Sequence, residues 1–151
     1  MQIRPMTEDD AVAVAGLCGQ LGYLASAPEI ATRIGQLLHR GGDAQFVAEE
    51  HGKVLAWIHV HASLTLTSAA RAEILGLVVD SEARHRGLGR ALVRQAERWA
   101  QQSGLHVMRV RSQVSRDEAH RFYHASGYRV VKRQEVYDKT LDAAEQDSRH
   151  A

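Results

Sequence analysis

The chain has 151 residues, a net charge of +1, 44% hydrophobic residues and a single cysteine. That length suits one domain, which buries about two thirds of the surface its unfolded chain exposes and needs no metal or disulfide staple. The near-neutral charge speaks against general nucleic-acid binding, the lone cysteine excludes an internal disulfide, and no apolar run approaches the roughly 18 residues of a membrane span. The N-terminus lacks the basic, apolar and small-residue order of a secretion signal, so a cytoplasmic location is expected.

Residues 2–4 read as a short strand closed by Pro5. Thr7 followed by Asp10 is a variant capping box, which starts a helix running to about Gly22. Cys18 falls in its apolar pattern with Val14, Leu17 and Leu21 and reads as a buried structural thiol. Pro28 suits the first turn of a second helix, whose stripe is Ile30, Ile34, Leu37 and Leu38 and whose end is Gly41-Gly42. Residues 45–50 and 53–62 read as strands joined at His51-Gly52, where glycine tolerates the positive φ of a tight hairpin. Residues 69–79 form a third strand. A loop leads into a helix over about 87–103, with Leu88, Leu92, Ala96 and Trp99 at helical spacing and Gly104 as its stop. Residues 106–112 are another strand. Ser115 and Glu118 make a capping box for a helix to Ser126, which Gly127 ends. Residues 128–132 and 135–140 read as a final strand pair, and the polar stretch 142–151 as a flexible tail. The order β-α-α-β-β-β-α-β-α-β-β describes an α+β chain around one mixed sheet, a single domain over 1–141.

The most informative stretch is Asp80-Ser81-Glu82-Ala83-Arg84-His85-Arg86-Gly87-Leu88-Gly89-Arg90-Ala91, between an apolar strand and an amphipathic helix. Its glycines let a bulky ligand approach the backbone. Amides at the helix start and the positive end of the helix dipole form an anion site. Arg84, Arg86 and Arg90 add charge, so a pyrophosphate suits the loop. A Walker loop would need Gly-Lys-Ser/Thr, and a dinucleotide fingerprint a third glycine where Leu92 stands. Taken alone, the pattern also fits a plain turn with solvated arginines.

The setting decides between them. Arg84, Gly87 and Gly89 match Arg/Gln-x-x-Gly-x-Gly/Ala, behind an apolar strand and at the head of a long helix. Ala119, Phe122, Tyr123, Gly127 and Tyr128 match Ala-x-x-Phe-Tyr-x-x-x-Gly-Phe/Tyr. On these motifs the chain resembles the GNAT superfamily of acyl-CoA N-acyltransferases. The resemblance covers 1–141. It implies that the strand ending at Val79 and the one starting near His106 splay into a V-shaped cleft. It implies acetyl-CoA as co-substrate, with the pantetheine arm on backbone groups of Leu77, Val78 and Val79. The pyrophosphate would sit on His85, Arg86, Gly87, Leu88, Gly89 and Arg90, with Arg84 and Ala91 beside it. Arg116 stands where relatives often carry an asparagine that contacts the cofactor arm, and is grouped with the cofactor residues or faces water.

Such transfer passes the acetyl group directly from thioester to a primary amine. The ammonium must lose a proton, the oxyanion needs a hydrogen bond, and the departing thiolate benefits from a proton. Glu73 is the candidate base: it matches the glutamate that serves this role in the superfamily's histone acetyltransferases. Period two would put Glu73, Leu75, Leu77 and Val79 on one strand face. Glu49 and Glu50 are weaker alternatives. Tyr123 is the candidate acid, with Phe122 filling the core role of the pair. His59 and His61 share a strand face and could line the acceptor side; Trp57 on the same strand reads as packing, and Arg109 and Arg111 share a face of theirs. His120 and His124 have the spacing of paired zinc ligands without an evident third ligand, so no metal is expected. The alternative function is a non-catalytic acyl-CoA-binding sensor on the same fold. Aminoglycosides, polyamines, amino acids and protein N-termini remain open as acceptors. Dimerisation is common in the family, so a homodimer stays open, while no nucleic acid or membrane partner is expected.

Overall fold

The computed structural model describes residues 1–112 and 117–141. They fall into two units, Met1–Ser115 and Arg116–Ala151. The first unit carries β1 (Gln2–Pro5), a 3₁₀ turn (Glu8–Asp10), α1 (Ala11–Gln20), α2 (Ala27–Leu38), β2 (Asp43–Glu50), β3 (Lys53–Thr65), β4 (Ser68–Val79), a second 3₁₀ turn (Ser81–Ala83), α3 (Leu88–Gln102) and β5 (Met108–Val110). The second carries α4 (Asp117–Ala125).

Local chemistry sets these boundaries. Asp10 Oδ2 accepts from the Thr7 amide at 2.8 Å, closing the turn that leads into α1. Ser26 Oγ accepts from the Glu29 amide at 3.2 Å, with Pro28 in the first turn of α2. His51 and Gly52 both have positive φ, 51° and 76°. That is the primed turn whose twist matches the strands it joins.

The sheet order is β1-β2-β3-β4-β5, antiparallel from β1 to β4, with β5 parallel to β4. On one face α1 and α2 pack Val14, Leu17, Cys18, Ile30 and Ile34 against Val47, Val54, Val78 and Trp57. Alternation turns Ile58 and Val60 to the other face, where α3 packs; Ile58, Val60, Leu92 and Val93 are fully buried. Each such Leu or Ile stabilises the fold by roughly 1.5–3 kcal/mol relative to exposure.

Two bulges set the register that matters. Ala48 opposes Ala56 while Glu49 opposes Val54, so Leu55 is an extra residue on β3. Val60 opposes Ile74 while His59 opposes Gly76, so Leu75 is an extra residue on β4. The second bulge corrects an expectation from the sequence. Glu73 shares its face with Gly76 and Val78, not with Leu77 and Val79, because the inserted Leu75 inverts the alternation beyond it.

Other differences concern extent. The strand expected over 106–112 is ladder-paired only at Met108–Val110, opposite Ala72–Ile74. The strand pair expected over 128–132 and 135–140 does not form: those residues carry no regular secondary structure, and Val130, Val131, Val136 and Tyr137 are exposed. β-propensity reflects packing and pairing rather than the isolated backbone, and no ladder partner holds these residues among the described ones. The Ser115 cap, Arg116 and the tail 142–151 lie outside the described residues.

In the second unit, α4 ends where Gly127 takes a φ of 90° and the Tyr128 amide donates to the Tyr123 carbonyl at 2.9 Å.

Candidate active site

One row of side chains crosses the sheet at right angles to its strands. Asp43 on β2 opposes His61 on β3, His61 opposes Glu73 on β4, and Glu73 opposes Arg109 on β5. The residues share one face, the face that α1 and α2 cover with apolar groups further along the strands. Glu73 is nearly buried, its side chain 10% exposed. Arg111 Nη2 lies 3.5 Å from Glu73 Oε1, and His61 Nε2 lies 3.9 Å from Oε2. The other nitrogen of His61, Nδ1, is 4.0 Å from Asp43 Oδ1. Asp43 is held firmly: Arg40 Nε donates to Oδ2 at 2.6 Å, and Arg40 Nη2 and His59 Nε2 each donate to Oδ1 at 3.0 Å. Burial pulls the Asp43 carboxyl up, but the bonds from Arg40 and His59 outweigh it and hold it below the usual carboxylate value.

Next to this row lies another, Gln45–His59–Gly76. The Trp57 ring lies over Gly76 so closely that a Cβ there would stand 2.7 Å from Cη2. Gln45 is buried, and its Nε2 has no hydrogen-bond partner among the described residues. A buried donor of this kind costs free energy until something satisfies it.

Beyond Ile74 and Val110, β4 and β5 no longer pair, while β4 runs on to Val79 with β3 along its other edge. Leu77, Val78 and Val79 therefore present backbone groups on an edge without a ladder among the described residues. The Asp80 amide bonds the Leu55 carbonyl at 2.8 Å. Gln20 at the end of α1 clamps the start of the loop, donating to Asp80 Oδ2 at 3.2 Å and accepting from the Ser81 amide at 2.9 Å. Arg84, His85 and Arg86 are exposed, and His85 and Gly87 have φ values of 64° and 82°. The first bond of α3 runs from the Ala91 amide to the Gly87 carbonyl, so Leu88 and Gly89 precede the helical ladder. Leu88 and Gly89 are buried, Arg90 is exposed and Ala91 is half-buried. Arg86 donates to Glu50, tying the loop to β2.

Tyr123 lies on α4, in the second unit. Its ring meets Phe122 and Tyr128 edge to face, with centroids 5.1 and 5.8 Å apart. Burial pushes its phenol above the ordinary value, so the proton stays on. His120 and His124 share α4 with it. No cluster of three or more metal-ligating side chains occurs among the described residues, and no helix there is long and apolar enough to cross a membrane. Burial pushes the Cys18 thiol up, which favours its protonated form.

The structure brings Glu73, His59 and His61 together, with Arg109 in the same row and Arg111 at its edge. It engages Glu49 with Arg4 and Glu50 with Arg86, away from that row. Sequence reasoning missed Asp43, Arg40 and Gln45. Polar Asp43 and Gln45 at spacing two, in phase with apolar Val47, were the signal available for two of them.

Comparison with known proteins follows the same lines. The model of the acetyltransferase (GNAT) family matches residues 18–128, running across the division between the two units. Among solved structures, an apo aminoglycoside 6'-N-acetyltransferase from Acinetobacter haemolyticus superposes with a TM-score of 0.80 at 20% identity, covering 94% of this chain and 100% of that one. The aminoglycoside N-acetyltransferase AAC(6')-Iy, solved with the bisubstrate analogue CoA-S-monomethyl-acetylneamine, gives 0.81 at 19% identity, covering 93% and 98%. A protein described as a transcriptional regulator from Bacillus halodurans gives 0.81 at 22% identity, covering 91% and 99%. A comparison with curated proteins finds no match. With its family model spanning most of its length and its fold shared with these acetyltransferases, the chain belongs to the acetyltransferase (GNAT) family.

Proposed function

We propose that the protein is an N-acetyltransferase that moves an acetyl group directly from acetyl-CoA to a primary amine. The observation that carries this reading is a nearly buried carboxylate, Glu73, at the point where β4 and β5 part. Glu73 takes a proton from the acceptor ammonium, giving the amine its lone pair. The amine attacks the thioester carbon, the C–S bond breaks as the C–N bond forms, Tyr123 protonates the departing thiolate, and the second proton of the attacking nitrogen returns to the Tyr123 phenolate, so that one proton is left on Glu73. Tyr123 suits that step because its raised phenol keeps its proton at neutral pH.

The pantetheine arm lies along the open edge of Leu77, Val78 and Val79. The pyrophosphate takes the amides from His85 to Arg90, with Gly87 and Gly89 allowing close approach and Ala91 in the first helical turn. Arg84 and Arg90 face it, Arg86 exchanges Glu50 for phosphate, and Arg116 is assigned to the cofactor. The acetyltransferase domain is taken as 1–141.

The acceptor is an amine. Aminoglycosides are the first class to test, since two of the similar structures are enzymes of that substrate class. Thiol release from acetyl-CoA, measured against neamine, spermidine and a panel of amino acids, tests the function. Amine-dependent release is expected. Acetyl-CoA binding without release on any amine would favour a non-catalytic sensor.

A further inference from the structure

The acyl transfer releases one net proton, since an ammonium and a thioester become an amide, a thiol and H⁺. In the mechanism above that proton starts on Glu73, a side chain 10% exposed. It must leave before the next turnover. Among the described residues, two groups form ion-pair contacts with the carboxylate: Arg111 at 3.5 Å and His61 at 3.9 Å. A guanidinium cannot accept a proton at neutral pH; an imidazole can.

We propose that His61 is a relay and positioning residue that carries the proton from Glu73 to water, with Asp43 as its anionic support. This inference rests on the acyltransferase reading above. In the step, the Glu73 Oε2–H bond breaks and a His61 Nε2–H bond forms. The resulting imidazolium is stabilised by Asp43, opposite Nδ1. It then loses one ring proton to water, which restores neutral His61 and ionised Glu73.

Three observations fit the two ends of His61 to this task. Its two nitrogens face different carboxylates, Nε2 toward Glu73 and Nδ1 toward Asp43 at 4.0 Å. Its side chain is 26% exposed, so the ring reaches solvent where Glu73 does not. The Asp43 side chain is 2% exposed and fixed by Arg40 and His59, so it stays ionised and in place. Both gaps at His61 exceed a direct hydrogen bond, so each hop crosses a water or follows a turn of the ring. Among the described residues, the charged and titratable groups facing His61 are Asp43 from β2, Glu73 from β4 and His59 two residues earlier on its own strand. Arg40 acts on it through Asp43, while Arg111 and the in-register Arg109 act through Glu73.

The test compares wild type, His61→Ala and His61→Gln in acetyl-CoA thiol release, with neamine and spermidine as amine probes. Both variants are expected to lose about tenfold to a hundredfold in kcat, within the range for a lost proton-transfer group, with acetyl-CoA affinity and melting temperature held. Added imidazole should restore His61→Ala in proportion to its free-base concentration, which a packing role would not produce. Gln keeps polarity and volume without relaying a proton, so it also covers a folding failure of the Ala variant. Wild-type turnover in either folded variant, or a slow, folded His61→Ala that imidazole leaves slow, overturns the relay alone. If Glu73→Gln is as fast as wild type, the base assignment fails and the relay with it. If wild type releases no thiol with either probe, the acyltransferase reading fails on these amines and the relay falls too.

Discussion

Glu73 is nearly buried, at the mouth of a strand separation, and faced by Arg111 and His61, which is the setting behind its proposed role as base. Glu73→Gln is expected to lower kcat about a hundredfold or more at neutral pH. The loss should shrink at high pH, where more acceptor is already free amine. A pH–rate profile parallel to that of wild type would reject the assignment. For Tyr123, burial raises the phenol, so its neutral, proton-donating form persists and any alkaline limb it causes lies above a pH of about 10. Tyr123→Phe should lower kcat more than it weakens acetyl-CoA binding; an unchanged kcat would remove it as the acid. Both proposed roles come from motif spacing in the sequence. The partner of Asp43 could not be read that way, because it depends on the pairing register. Counting from the hairpin turn, where Glu50 opposes Lys53, an unbroken ladder would set Asp43 opposite Val60; the Leu55 bulge moves it to His61.

At the scale of elements, these bulges do what the residue pattern could not announce. A bulge preserves sequence hydrophobicity while inverting the alternation beyond it, so the face of Gly76 could not be read from period two. Gly76 itself is constrained by the Trp57 ring. Gly76→Ala is expected to destabilise the protein by about 1–3 kcal/mol through overpacking. Replacing Trp57 with Leu in the same chain should relieve much of that cost, so a double-mutant cycle by thermal unfolding should show a coupling of at least about 0.5 kcal/mol. Additive effects would contradict the contact. The loop into α3 was the clearest element in the sequence. Its two glycines at the head of an amphipathic helix carry a local meaning that needs no register. The terminal strand pair was the least reliable, because adjacent apolar residues such as Val130 and Val131 suggest strand without supplying a partner.

Across the whole molecule, Arg4 joins the start of the chain to the sheet. It donates to both oxygens of Asp10 at 2.9 and 2.8 Å and to Glu49 at 2.9 Å. The Arg4 bonds, ahead of the opposing cost of burial, hold the Asp10 carboxyl below its ordinary value. A depressed carboxylate contributes stability that is fully present above its unfolded value and lost as pH falls through the folded one. Asp10→Asn should therefore melt lower than wild type at pH 7, by an amount corresponding to about 2 kcal/mol. The gap should close as the pH drops below about 4. A gap independent of pH would show that the carboxylate charge is not its source. The α+β architecture followed from the order of elements and two motifs in their settings. The pairing details followed from contacts that no single segment specifies.

The central claim is that the loop from Arg84 to Ala91 and the open edge of β4 hold acetyl-CoA. Isothermal calorimetry with acetyl-CoA, desulfo-CoA and ATP tests it most directly, with Gly89→Trp as the companion variant. The account predicts that both CoA species bind wild type, that ATP binds far more weakly, and that the added indole abolishes CoA binding without unfolding the protein. Absence of binding by any CoA species, or undiminished affinity in Gly89→Trp, would contradict it.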